Sequence, residues 1–202
     1  MQDLRSIGLE KGIHYETIIT TKYNNKSNSA PIGVICTGNH SIMCRIFKTS
    51  HTLNNILKTN EFIVNVVDNP FAFTYSTLST VPNSYLNSDN SLKCANSYFK
   101  CEVESIKDVV KTNDPINKSQ KSIIKAKVVE IVKKNNKKPL NRAMDLLVES
   151  VHNMEKIDEN PEYYLGRFKE AKRVITKVGS RKDKEAIKIL LEELEKKGYG
   201  FN

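Results

Sequence analysis

The sequence predicts a mainly β chain with helices added: an antiparallel barrel of five or six strands, then a helical appendage. Three observations carry that prediction. Apolar residues alternate with a period of two along several segments between residues 15 and 132. No strand–helix–strand crossover pattern repeats, which argues against a parallel sheet. At "KKNNKKP" (133–139) the apolar period changes from two to 3.6. The layout is a barrel domain over residues 1–138 and a C-terminal helical subdomain over residues 139–202.

Taken in order, "YETIITTKY" (15–23) is rich in β-branched residues and is followed by the polar stretch "NNKSNS", a hairpin signal. "APIGVICT" (30–37) is its partner, and "GNHS" is the next turn. In "IMCRIFK" (42–48), alternation puts Met43, Arg45 and Phe47 on one face and Ile42, Cys44 and Ile46 on the other. A helix follows from about Thr52 to Lys58, with Leu53, Ile56 and Leu57 at helical spacing. "EFIVNVV" (61–67) is apolar almost throughout and reads as a strand buried on both faces. Pro70 opens a short helix capped by Asp68 or Asn69. Residues 80–97 are polar loop; "YFKCEVESI" (98–106) and "SIIKAKVVEIV" (122–132) are the last strands. Helices are expected at about 140–155, 161–178 and 181–197. Gly179 stops the second, and the pair Ser180 and Asp183 caps the third.

Two stretches stand out as chemistry. In "CRIFKTSHTLNNIL" (44–57) a lysine and three hydroxyl residues gather where a helix begins. A helix N-terminus has unpaired amides and a partial positive charge, so it suits a phosphate, with Lys48 or Arg45 as added donors. The plainer reading is that Thr49 or Ser50 caps the helix. In "SNSAPIGVIC" (27–36), Pro31 and Gly33 both weaken a central strand. Glycine there marks either an edge strand with a bulge or the close approach of a ligand or backbone.

Composition narrows the function classes. Of 202 residues 39% are hydrophobic, enough for a core, and no run of about eighteen apolar residues spans a membrane. The charged N-terminus lacks a signal peptide's apolar stretch, so a cytoplasmic protein is expected. Cys36, Cys44, Cys94 and Cys101 have no metal-ligand spacing and do not cluster with His14, His40, His51 or His152. Neither a structural metal nor a disulfide is expected. The net charge of +9 raises nucleic acid as a partner, but the excess is scattered: 19 basic against 11 acidic residues in 1–138, and 13 against 12 in 139–202. Aromatic residues, at 7%, do not interleave with the lysines as a stacking platform requires.

Three blocks, "YETIITTKYNNKSNSAPIGV", "RIFKTSHTLNNILKTNEFIVNVVDNPFAFTYSTL" and "LNRAMDLLVESVHNMEK", resemble in order and spacing the flavin-reductase-like FMN-binding split barrels. The nearest resemblance is to an archaeal branch described as a domain of unknown function. It implies a six-stranded antiparallel split barrel, homodimeric, with FMN near the subunit interface. It assigns the isoalloxazine ring to the backbone of Ala30, Pro31, Ile32, Gly33 and Val34. The 5′-phosphate goes to Lys48, Thr49, Ser50 and Thr52, with Arg45 or His51 assisting.

Further residues stay open at this point. Asn65, polar within a buried strand, needs a partner that is either flavin or backbone. Arg142 either reaches a phosphate or substrate carboxylate or is solvated behind an Asn141 cap. His152 is either a packed or surface residue or a catalytic acid. Tyr15, Tyr23, Phe73, Tyr75 and Tyr85 are candidates for a ring stacked on the flavin. The expected activity is a flavin-reductase-like oxidoreductase passing hydride or electrons through FMN. Its donor is a reduced nicotinamide or deazaflavin bound transiently, since no dinucleotide-binding glycine loop exists. The alternatives are a non-catalytic FMN carrier or sensor, a deazaflavin-binding split barrel and, last, a basic nucleic-acid-binding barrel.

Overall fold

The first hairpin is set by two asparagines. In the computed structural model, which describes residues 2–78, 81–110 and 120–200, Asn24 and Asn25 take positive φ of 48° and 60°. That is the two-residue turn whose twist matches paired strands, and asparagine tolerates it. It joins β1 (His14–Tyr23) to β2 (Lys26–Gly38). The strand therefore begins at Lys26, earlier than alternation alone suggests, and the polar residues 26–29 lie inside it. Then come β3 (Ser41–Phe47), α1 (His51–Thr59), β4 (Glu61–Val66), α2 (Pro70–Leu78), β5 (Ser97–Val110) and β6 (Gln120–Lys133). The six strands close into a barrel in the order β1-β2-β3-β6-β5-β4, every neighbour antiparallel. Closure rests on a short ladder, Ile18–Thr20 against Ile63–Asn65.

Alternation decides which residues fill the barrel. Ile19, Val34, Cys36, Ile42, Cys44, Ile46, Phe62, Val64, Phe99, Cys101, Ile124 and Ala126 form one buried cluster, joined by Leu53 and Ile56 of α1. Each large aliphatic or aromatic side chain so buried contributes about 1.5–3 kcal/mol. The four cysteines are free, and burial pushes the Cys44 thiol up to about 12. β4 is buried on both faces, as its apolar run predicts. A second cluster, Ile18, Val67, Ala72, Val81, Leu92 and Ala95, covers the outside of β1 and β4. α2 begins with Asn69, whose side chain accepts from the Ala72 amide at 3.1 Å. Among the described residues no helix is long and apolar enough to cross a membrane.

Residues 141–202 form a separate compact unit: α3 (Arg142–Glu155), α4 (Pro161–Val178) and α5 (Arg181–Lys196). Its core holds Ala143, Ile157, Phe168, Ile175, Val178, Ile187 and Leu194. Asn141 caps α3, accepting from the Ala143 amide at 2.8 Å. Ser180 and Asp183 form a reciprocal capping box on α5. Gly179 ends α4 for a different reason from the usual left-handed stop. Its φ is −76°, and a Cβ there would stand 2.7 Å from the Ile175 carbonyl oxygen. The requirement is for close approach, not for backbone freedom.

Gly166 lies inside α4 with nothing within 4 Å of where a Cβ would point. Glycine in a helix interior is entropically costly relative to alanine. Gly166→Ala is expected to stabilise the chain by about 0.5–1 kcal/mol in urea unfolding; a loss of stability would mean that this turn of α4 is not regular helix.

Candidate functional site

β2 and β3 run together only part of their length. Their ladder covers Val34–Cys44, Ile35–Met43, Cys36–Ile42 and, past a bulge, Gly38–Ser41. Beyond Val34 they part: Ala30–Gly33 continue to pair with β1 alone, and Arg45–Phe47 with β6 alone. Pro31 sits in the parted stretch, opposite Ile18. A residue with no N–H is tolerated in a strand where one neighbour is missing. β3 leaves because Ser50 turns the chain into α1: its amide and its hydroxyl both donate to the Phe47 carbonyl, at 3.1 and 2.8 Å.

The split brings the two stretches singled out by sequence to one place. Asn28 Nδ2 of β2 donates to Thr52 Oγ1 in the first turn of α1 at 2.9 Å. Asn55 Nδ2 donates to Thr21 Oγ1 at 3.0 Å. At about 3.3 Å per residue, Ala30 and Gly33 then lie roughly 7 and 16 Å along β2 from that anchor. A helix N-terminus and an open peptide edge therefore lie near one another.

The side chains there divide into engaged and open. Ser50 is the helix cap: its Oγ accepts from the Leu53 amide at 3.2 Å while donating to Phe47. Its hydroxyl is fully used, so the plain reading holds for Ser50 and any anion contact from it falls to its amide. Lys48 Nζ stands 2.5 Å from an Asp108 carboxylate oxygen, and Ser122 Oγ donates to the other at 2.8 Å. The Lys48 ammonium, and then the Ser122 hydroxyl, hold the Asp108 carboxyl below the usual carboxylate range. Thr52 accepts from Asn28 and keeps its own hydrogen to give. Arg45, Thr49 and His51 are exposed, and their side chains make no hydrogen bond or ion pair among the described residues. The open donors are thus one guanidinium, one imidazole and the Thr49 hydroxyl, while Thr52 is buried.

The other residues singled out by sequence have the following surroundings. The neighbour that makes Gly33 a glycine is protein, since a Cβ there would run into the His14 imidazole. His14 Nδ1 in turn stands 3.8 Å from a Glu16 carboxylate oxygen. Asn65 is wholly buried, and its partners are internal. Nδ2 donates to the Ile18 carbonyl and Thr20 Oγ1, and Oδ1 accepts from the Leu92 amide at 2.8 Å. Of the two readings left open for Asn65, the backbone one holds: it ties β4, β1 and the 81–96 segment together. Tyr15 is buried with its hydroxyl accepting from the Glu10 amide at 3.0 Å, so it is no stacking platform. Tyr23 lies under Lys58, Phe73 is packed in the outer cluster, and Tyr75 meets Tyr85 edge-on. Arg142 is the first residue of α3 and His152 is exposed in its last turn, both in the helical unit. Glu170 of that unit feels the Arg142 charge. Asn28, Thr17, Asp108 and Ser122 were not legible as site residues. Thr17 Oγ1 donates to the Ile32 carbonyl at 2.6 Å, fixing the stretch opposite the split.

A family model described as "protein of unknown function (DUF447) N-terminal domain" matches residues 15–135. An uncharacterised protein of Methanocaldococcus jannaschii is 30% identical over 189 residues, which are 89% of this chain and 97% of that protein. Among solved structures, an FMN-bound protein from Methanosarcina mazei, assigned to the same DUF447 family, is 26% identical. It aligns with 94% of this chain and 99% of its own, with a TM-score of 0.54.

The His14–Gly33 contact generates a testable cycle. Gly33→Ala is expected to cost about 1–3 kcal/mol through overpacking, and the same change in a His14→Ala background to cost much less. Equal losses in both backgrounds by denaturant unfolding would show that the imidazole is not what excludes a side chain.

Proposed function

We propose, from the premise that this chain belongs to the DUF447 family, that it is an FMN-binding flavoprotein acting as a flavin-reductase-like oxidoreductase. The observation that carries the reading is the FMN-bound member of the family, which aligns with nearly the whole of both chains. The split between β2 and β3 supports it independently, because it offers the two things a flavin nucleotide needs. The open edge of Ala30–Gly33 presents peptide N–H and C=O groups to the heteroatoms of a flat ring. The N-terminus of α1, with Arg45, Thr49, His51 and Thr52, suits a phosphate.

Lys48 joins that seat by changing partner. Its ammonium is drawn towards β5 by Asp108, and a phosphate dianion competes for it with more charge and more acceptor oxygens than one carboxylate. When bound, FMN supplies the hydride and electron transfer; the chain binds and orients it. A reduced nicotinamide or deazaflavin is the expected donor, docked transiently. A homodimer is part of this proposal: α2 exposes Phe71, Tyr75 and Leu78 by 65%, 40% and 79% on one face. Such a stripe is what two copies bury.

The first test is the absorbance of the purified protein before and after denaturation, with mass spectrometry of what is released. Released FMN is the expected result; a colourless protein that takes up no added FMN would overturn the reading. Lys48→Ala should weaken FMN by about 10- to 100-fold, the worth of a hydrogen bond to a charged group at about 1.5–3 kcal/mol. Asp108→Asn should leave FMN affinity equal or tighter. Reduction of bound flavin by NADH, NADPH or a reduced deazaflavin should exceed the rate with free FMN; no excess with any donor would leave a carrier, not an enzyme.

A further inference from the structure

The outer face of β3, β6 and β5 carries a charge pattern that the flavin reading leaves unexplained. Ile124 and Ala126 fill the barrel core, so Lys121, Ile123 and Lys125 of β6 point outward. Ile123 stands directly opposite Arg45 of β3 on one side and Lys107 of β5 on the other. Four cations therefore surround one isoleucine, two of them with backbones about 4.8 Å away on the neighbouring strands and two about 6.6 Å away along β6. Phe47 lies opposite Lys121 and Met43 opposite Lys125, so cationic and apolar residues alternate across the face as well as along it. Phe47 is 51% exposed, with the Lys121 ammonium 4.3 Å from its ring centroid. None of the four cations makes an ion pair among the described residues, although like charges so placed repel. Glu102 and Glu104, further along β5, pair with none of them. Asp108, next to Lys107, turns to the opposite face, where Lys48 and Ser122 hold it.

Such a face selects its occupant. A second copy would set the cations against themselves, since a two-fold contact pairs one patch with its twin. A nucleic-acid strand calls for aromatic platforms along a groove, whereas Ile123 and Met43 offer aliphatic surface on the outside of a barrel. An apolar centre ringed by cations suits an acidic protein: opposite charge steers the encounter, and the apolar centre is desolvated on contact. Position narrows the partner further. Arg45 and Phe47 lie on the stretch of β3 that borders the split, where Ala30–Gly33 of β2 pair with β1 alone. A protein seated on this face reaches the edge of the proposed flavin site.

We infer that this face docks a small acidic electron-carrier protein, which reduces flavin held in the adjoining split. The inference rests on the flavin reading for its chemistry and on the face alone for the docking. Two reduced carriers each give one electron per flavin, and two protons come from solvent; the flavin is then fully reduced and both carriers are oxidised. The contact is brief, because electron-transfer encounters bury less than about 1,200 Å² and depend on charge for their speed.

The test mixes the full chain, with FMN added, and a reduced acidic ferredoxin of the plant type under anaerobic conditions. Flavin reduction is expected to slow at least about 10-fold between about 0.01 M and about 0.15 M salt, as the screening length falls from about 30 to about 8 Å. The triple variant Lys107→Gln, Lys121→Gln, Lys125→Gln should lose at least about 10-fold of the low-salt rate while keeping its FMN and its reduction by dithionite. Its melting temperature should stay equal or rise, because the cations no longer repel. Oxidised ferredoxin should shift the amides of residues 43–47, 105–109 and 121–125, and a basic cytochrome c should not. Equal rates in the triple variant, a rate indifferent to salt, or equal binding of a single-stranded oligonucleotide at those residues would overturn the inference. FMN retained without docking overturns it alone. Docking on a chain that takes up no FMN overturns the flavin reading, and the electron step with it.

Discussion

The parting of β2 from β3 beyond the Val34–Cys44 pair is the constraint on which the rest of the site depends. A closed antiparallel barrel satisfies its backbone through its neighbours and leaves nothing for a ligand to read. Here one seam is left open on β2 because β3 is pulled away by the Ser50 cap into α1. Pro31 is compatible with the open seam and not with a completed one. The Asn28–Thr52 bond then pins the helix to the parted strand. Since Leu53 and Ile56 of the same helix complete the barrel core, the element that shapes the groove is also one that the fold cannot lose.

Charge acts locally on this chain. A net +9 says little, because the lysines are spread over the surface and several are paired, as Lys100 is with Glu130 and Lys137 with Asp68. What matters is the position of a few groups. Beside the split, Lys48 and Asp108 form a pair that is strongest when the carboxylate is ionised. Because the Asp108 carboxyl is held below its ordinary 3.8, the pair favours the folded chain above that value and is lost as pH falls through the lowered one. The pair is exposed, so its net contribution is small and screened by salt. Its consequence is positional: Lys48 is held towards β5, across β6 from its own strand, instead of sampling solvent.

Much of the architecture was legible. Alternation located the strands to within a few residues, the apolar run at 61–67 announced a strand buried on both sides, and Ser180 with Asp183 marked a helix start. These features are local, so a short window of sequence contains them. The site was legible only in outline. Gly33 read as room for a ligand, whereas the room is filled by His14, which lies on the neighbouring strand. Asn65 read as an open question because its partners, Ile18, Thr20 and Leu92, are brought to it by closure of the barrel. Asn28 with Thr52 and Lys48 with Asp108 likewise pair across elements that only the fold makes neighbours. No spacing rule signals such pairs.

On the proposed reading, the open seam of β2 and the first turn of α1 form a single flavin-nucleotide site. Adding FMN to the isotope-labelled full chain and following backbone amide shifts tests it most directly. The largest changes are expected together on Ala30, Ile32, Gly33 and Val34 and on Thr49, Ser50, His51 and Thr52. Changes confined to another surface, with these two stretches unmoved, would contradict it.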